Sequence, residues 1–253
     1  MNSSSLKSLI RSRSIDYAKK HSLSYTEFKT AIIFDNIADN FLPTSYDCII
    51  EKQEWSERLK KQHPQVQNAC EMQSSNSSDA LLMNIFCHPK INSWKGIRKL
   101  FGVSNINPDF GIKPELQLKS GQGDRTEIDL AFENIIVEAK LTETDFTQKS
   151  VSAVKNYTAV EKVFHFNNLP NNGENIFHYQ IVRNIMASVQ LNKRHILICD
   201  DRRGDLIRCY YDVVKCVRDV GIRKNCSIIF WQEIFTKVGY DRQLLNQYIS
   251  NQS

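Results

Sequence analysis

The chain has 253 residues, 41% of them hydrophobic, and a formal net charge of +5, which allows a real core in one large or two small domains and is compatible with a polyanionic partner without marking one. No run of eighteen apolar residues occurs and the N-terminal MNSSSLKSLIRSRS lacks an apolar signal core, so a soluble cytoplasmic protein with no membrane partner is expected. Seven cysteines, at 48, 70, 87, 199, 209, 216 and 226, form no CxxC pair, which argues for reduced thiols and against a zinc ribbon or disulfide scaffold.

In chain order, the first seventy residues read as helical and accessory. Ser14 to Lys29 mixes apolar and charged positions, and Thr30 to Phe41 carries Ile32, Ile33, Ile37, Ala38 and Phe41 at roughly helical spacing before Pro43 ends the run. Ser45 to Lys61 is a further amphipathic stretch whose charged end includes Arg58, a solvated face or a phosphate contact. The serine-rich 71–78 precedes a largely buried helix, Asp79 to Phe86, with Ser77 or Ser78 as N-cap. Trp94 to Leu100 combines an aromatic ring with Lys95, Arg98 and Lys99, an amphipathic surface or a segment lying along a phosphate backbone, with Lys95 and Arg98 as the candidate contacts. Lys113 to Lys119 alternates Leu116 and Leu118 with Glu115 and Gln117 and reads as the first core strand. Its polar face would carry Glu115 toward later carboxylates.

The chemistry concentrates in GDRTEIDLAFENIIVEAK, residues 123 to 140. Ile128, Leu130 and Phe132 alternate with Glu127, Asp129 and Ala131, and a second strand begins at once after Glu133-Asn134, so the two runs predict an antiparallel hairpin. On the second strand Ile136, Glu138 and Lys140 share a face, with Asp129 across from them. Two carboxylates on adjacent strands can hold a hard cation such as Mg²⁺, and an ammonium beside them can stabilise the anionic charge of a phosphodiester under attack. By itself Glu138-Ala139-Lys140 also describes an ordinary strand-end ion pair. Glu27-Phe28-Lys29 has the same spacing in what reads as a helix-like polar segment without an Asp-bearing partner strand.

After Lys140 come a polar stretch, a helix-like run from Val151 to Val163, and a segment at 167–175 with five asparagines that cannot be regular structure. That segment is a connector or, through asparagine amides, a reader of adenine edges. Phe177 to Lys193 is the most convincing helix, with Ile181, Val182, Ile185, Met186 and Val189 as its apolar stripe and Gln180 and Asn184 one turn apart on another face. His195 to Asp200 predicts a strand parallel to its neighbour after the crossover, Leu206 to Val220 a helix, Cys226 to Trp231 a last strand, and 232–235 and 243–249 terminal helical cover.

Asp129, eight intervening residues and Glu138-Ala139-Lys140 resemble the active-site motif of the PD-(D/E)xK nuclease superfamily, which includes many restriction endonucleases. Ile128 stands where the motif has proline. The serine pair and buried helix upstream, and the Tyr-Gln-Ile-Val-Arg-Asn string at 179–184, are similar to elements of the same proteins, so the resemblance spans about residues 71 to 235. It implies an α/β, restriction-endonuclease-like central mixed β-sheet flanked by helices, with an N-terminal helical addition at 1–70 and the nuclease domain at 71–253. It further implies that Asp129 and Glu138 bind Mg²⁺, with Mn²⁺ able to substitute, that Lys140 assists the nucleophilic water, and that Gln180 lies over the site. Glu71 and Glu115 are the further metal-site candidates, and Arg58, Lys95, Arg98 and Asn184 the nucleic-acid contacts. The expected function is that of a type II-like restriction enzyme cutting double-stranded DNA as a homodimer. A defence or repair nuclease on structured or single-stranded DNA, and a non-cleaving nucleic-acid-binding module, remain open alternatives.

Overall fold

The computed structural model describes residues 1–238 together with Leu245 and Tyr248, and these fall into two compact units, 107–230 and a unit of 1–106 with the chain from 231 onward. In the latter, helix α1 (Ser3–Lys20) is followed by a hairpin of β1 (Tyr25–Phe28) and β2 (Ala31–Phe34), helices α2 (Pro43–Glu51), α3 (Gln53–Leu59), α4 (Ser78–Phe86) and α5 (Lys95–Phe101). The hairpin corrects the helical reading of 30–41 and places Glu27 and Phe28 at the end of β1, with Lys29 in the turn at φ 50°. Ala31–Phe34 is buried at every position, and a short, fully buried apolar run has no period to distinguish strand from helix. Pro43 starts α2 rather than ending a helix, since a helix's first turn has no use for the missing N–H. Helix α4 has the expected cap, with Ser77 Oγ accepting from Ala80 N–H at 3.1 Å.

The sequence reading sets a boundary at 70, whereas the units divide at 106 and again at 230. Long-range bonds of one buried amide keep α4 with the residues before 70. Asn84 Oδ1 accepts from Leu42 N–H at 2.6 Å and Asn84 Nδ2 donates to Asn40 O at 2.9 Å, tying α4 to the start of α2.

The second unit holds a five-stranded mixed sheet in the order β11-β10-β7-β6-β3. In chain order its elements are β3 (Asp109–Ile112), a separate ribbon of β4 (Leu116–Gln117) and β5 (Gly123–Asp124), β6 (Ile128–Phe132), β7 (Ile135–Ala139), β8 (Gln148–Ser150), α6 (Val151–Lys155), α7 (Val160–Val163), β9 (Asn175–Phe177), α8 (Tyr179–Gln190), β10 (Arg194–Cys199), α9 (Gly204–Val214), α10 (Val220–Lys224) and β11 (Cys226–Phe230). A last helix, α11 (Trp231–Lys237), belongs to the first unit; the cover expected at 243–249 lies largely outside the described residues. Among the described residues no helix is long and apolar enough to cross a membrane.

Strands β6 and β7 form the predicted hairpin, Phe132 opposite Ile135, with Glu133 at φ 39° in the two-residue turn, the sign that primed hairpin turns use. β7 then pairs with β10 in parallel, Ile136 with His195, and β10 with β11 in parallel. Flanked on both sides, β7 is buried at all five positions, which is why Ile-Ile-Val-Glu-Ala reads as a nearly continuous apolar run. Ala131, Ile136, Leu197 and Cys199 contribute to one apolar cluster with Ile181, Val182, Ile185 and Met186 of α8. The expected first core strand at 113–119 is corrected: β3 occupies the sheet edge, and Leu116–Gln117 lies in the small ribbon. At Gly123 a Cβ would stand 2.3 Å from Glu115 Cγ, so a larger residue there would displace the Glu115 side chain.

Candidate active site

Continuing the β6–β7 register by one step from Leu130 opposite Val137 sets Asp129 opposite Glu138, so both carboxylates project from one face of the central strands. Asp129 Oδ2 accepts from Ala139 N–H at 2.8 Å. Glu138 and Lys140 are only 2% and 7% exposed, and burying two charges costs several kcal/mol per ion unless they find partners. They do. Lys140 Nζ lies 2.9 Å from Glu138 Oε1 and donates to Gln180 Oε1 at 3.2 Å, while Asn184 Nδ2 donates to Glu138 Oε2 at 2.6 Å. The ammonium also sits 5.7 Å from the centre of the Phe146 ring, within cation–π range. Burial by itself would depress the Lys140 pKa, but the charges of Glu138, Glu143 and Asp129 outweigh it and hold the group above the ordinary lysine range. Glu143 belongs to the turn that leaves β7, where its carboxylate accepts from Leu141 N–H at 2.6 Å.

Helix α8 brings Gln180 and Asn184 to this face because they are four residues apart. Its start is fixed by the loop leaving β7: Tyr179 N–H donates to Thr147 O at 3.2 Å and Gln180 N–H to Phe146 O at 3.0 Å, satisfying donors that a helix N-terminus leaves open. His178, just before the helix, takes the left-handed conformation at φ 58°, and burial lowers its pKa.

Behind Asn184 lies a second buried polar knot. Arg183, 1% exposed, donates from Nη1 to Asn184 Oδ1 at 3.3 Å, from Nη2 to Pro114 O at 3.2 Å and from Nε to Asp124 Oδ2 at 3.5 Å. Asp124 also accepts from Thr126 N–H at 2.8 Å, Thr126 Oγ1 at 2.5 Å and Tyr157 OH, while the Tyr179 hydroxyl, 3.2 Å from the same Asp124 oxygen and against the Tyr157 hydroxyl, has one proton to give to either. Burial pushes the Asp124 pKa up, but these donors and the Arg183 charge together bring it down to about 2.

The structure thus brings Asp129, Glu138, Lys140 and Gln180 together. It also places Asn184 there, but not as a nucleic-acid contact: the residue is 2% exposed, with both ends of its amide engaged. Glu115 is corrected as well. It lies outside the core sheet, and its carboxylate is held by Arg125 at 2.8 Å. Glu71 belongs to the other unit, where Lys61 holds it at 2.9 Å. In that unit Arg58 is turned inward onto Asp79 at 3.0 Å with an 11% exposed side chain, and Arg98 donates to Ser104 O at 2.8 Å. Lys95 is exposed, while Trp94 is buried and stacked on His88. Sequence reasoning missed Arg183, Asp124, Tyr157 and Tyr179. The four-residue spacing of Tyr179 and Arg183 was the one available signal; nothing local ties Tyr157 to either.

Among the described residues no three His, Cys, Asp or Glu side chains group as a metal-binding cluster, so a cation here would rely on the Asp129 and Glu138 carboxylates. That all-oxygen pair fits Mg²⁺, which is commonly held by one or two carboxylates and completed by water and substrate phosphate. Glu138 has capacity for it: a carboxylate offers about four lone-pair sites, and Lys140 and Asn184 take one each. Compared with known families, the chain matches the model described as restriction endonuclease associating with ARP over residues 11–251. No curated protein and no solved structure matches it.

Proposed function

Since the chain belongs to this restriction-endonuclease family, we propose that it is a PD-(D/E)xK-type, Mg²⁺-dependent endodeoxyribonuclease acting on double-stranded DNA. The observation that carries the reading is the convergence of Asp129, Glu138, Lys140 and Gln180 at one end of the central strands. Asp129 and Glu138 would hold Mg²⁺, or Mn²⁺ in its place. When bound, such a cation supplies Lewis acidity toward a phosphodiester oxygen and lowers the pKa of a bound water.

Each side chain has a separate task. Lys140 carries a fixed positive charge beside the two acids, where it stabilises negative charge accumulating on the phosphoryl oxygens. Gln180 spends its carbonyl oxygen on Lys140 and keeps its amide N–H₂ to orient a water. Asp129, more exposed than Glu138, is the carboxylate nearer to solvent and to an incoming strand. A two-fold homodimer would set one such site on each strand of a duplex.

The test is incubation of the full chain with unmethylated plasmid and phage DNA in Mg²⁺ or Mn²⁺, followed by sequencing of the ends. Discrete, reproducible ends support a type II-like restriction enzyme. A smear, or preference for structured or single-stranded DNA, moves the assignment to a defence or repair nuclease. No cleavage with either metal overturns the enzyme reading in favour of a binding module. With Ca²⁺ in place of Mg²⁺, DNA binding is expected to persist without cutting and to weaken as salt rises, and sedimentation with a cognate duplex reads the two-to-one stoichiometry.

A further inference from the structure

Resting on the metal-site reading above, we propose that Asp124, Arg183 and Asn184 form a positioning relay that orients Glu138 for cation binding, with Asp124 as its anchor. Arg183 is too buried to touch DNA, and its donors go inward: to the Asp124 carboxylate, the Pro114 carbonyl and the Asn184 amide oxygen. The last of these bonds decides which way round the Asn184 amide sits. With Arg183 donating to Oδ1, Nδ2 must face Glu138, and it does so at 2.6 Å. A flipped amide would turn an acceptor toward a carboxylate and leave the guanidinium facing an N–H₂ group, two repulsions in place of two bonds.

Asn184 and Lys140 grip opposite oxygens of Glu138. With only Lys140 left, the carboxylate could swing about the ion pair and lose the orientation it shares with Asp129. The anchor end is built to hold still. Thr126, through its backbone and its hydroxyl, fixes one Asp124 oxygen, and the hydroxyls of Tyr157 and Tyr179 converge with Arg183 on the other. Arg183 and the Thr126 N–H, on opposite oxygens, can only donate, and an ionised carboxylate accepts from both; an amide in its place offers one oxygen and sets an N–H₂ against one of the two.

The experiment is a Mn²⁺ titration of the full chain followed by electron paramagnetic resonance, without DNA, so that cation affinity is read apart from cleavage. Asp124→Asn and Asn184→Leu keep side-chain size nearly constant. Each is expected to weaken Mn²⁺ about 10- to 100-fold, as loss of residues supporting a metal ligand does, at a temperature where circular dichroism shows the fold intact. Tyr157→Phe removes one hydroxyl from the anchor and is expected to weaken Mn²⁺ a few-fold; it decides the matter should the other two fail to fold. Wild-type Mn²⁺ affinity in the folded variants overturns the relay and leaves the metal site standing. Absence of Mn²⁺ binding by the wild-type chain overturns both.

Discussion

The chain contains two Glu-x-Lys sequences at strand ends, and their settings are opposite. On β1, Glu27 has a 52% exposed side chain and pairs with Arg11, while Lys29 reaches Gln65 at 2.9 Å; the two residues of the motif do not hold each other. On β7, Glu138 and Lys140 are nearly inaccessible, bonded to each other, and bordered by Asp129, Gln180 and Asn184. The spacing is the same in both. What differs is the local and neighbouring structure: β1 pairs only with β2 and its Lys29 turns away at φ 50° into the hairpin loop, whereas β7 lies between β6 and β10 and Lys140 continues its register. Spacing sets which side chains share a face, and the neighbouring elements decide whether that face is solvated or becomes a site.

The largest expected effect is on cleavage. Glu138→Ala and Lys140→Ala should each reduce the rate of plasmid cutting by about a thousandfold or more, because charge and water positioning act as one unit. Glu27→Ala and Lys29→Ala should leave the rate at its wild-type value. Near-wild-type cutting by folded Glu138→Ala would remove the assignment.

Stability should separate the two strands next. Lys140→Met leaves a buried carboxylate without its counter-charge and should cost about 3–5 kcal/mol in urea unfolding. Adding Glu138→Gln should return a good part of that loss, so a double variant no more stable than Lys140→Met would count against the pairing. Lys29→Met is expected to stay within about 0.5 kcal/mol of wild type.

Acid unfolding sharpens the contrast between a partly buried, fully bonded carboxylate and an exposed one. Asp124 is depressed to about 2 in the folded chain, against about 3.9 for an unfolded aspartate. Its contribution to stability is therefore present above about pH 4 and is lost as pH falls toward 2, because the unfolded chain takes up the proton first. Asp124→Asn should flatten that part of the curve of stability against pH; an unchanged curve would show that Asp124 does not contribute. The smallest effect is expected from Arg11→Ala, whose exposed pair with Glu27 is worth about 0–1 kcal/mol and fades with salt. A loss much above that, independent of salt, would show that β1 is less solvated than its exposure indicates.

Much of the central sheet was legible because period-two alternation, a two-residue turn and the Asp129-to-Lys140 spacing are local signals. So was the helix bearing Gln180, whose apolar stripe is long enough to set a period. The β1–β2 hairpin was not legible, since Ala31–Phe34 is buried on both sides and carries no alternation. Leu116–Gln117 alternates correctly yet leaves the sheet, because edge position is decided by pairing with β6, which Asp109–Ile112 wins. The roles of Asn184 and Arg183 could not be read from their types: asparagine and arginine on a helix face suggest solvent or DNA, and only the placement of α8 over β7 turns them inward. Tyr157 joins Asp124 across 33 positions of chain, a separation with no sequence signature.

The parallel pairing of β7 with β10 also has a consequence in time. Ile136 finds its parallel partner in His195, and Lys140 N–H donates to Ile198 O at 2.8 Å, so everything from 137 to 194 must be synthesised and folded into the crossover before β7 has both neighbours. Closing so long a loop precedes the contacts that reward it, which makes such pairings slow. A growing chain ending before residue 198 already carries Asp129, Glu138, Lys140 and Gln180 but has not enclosed them. Such a chain has the residues of the candidate site before it has the structure that encloses them.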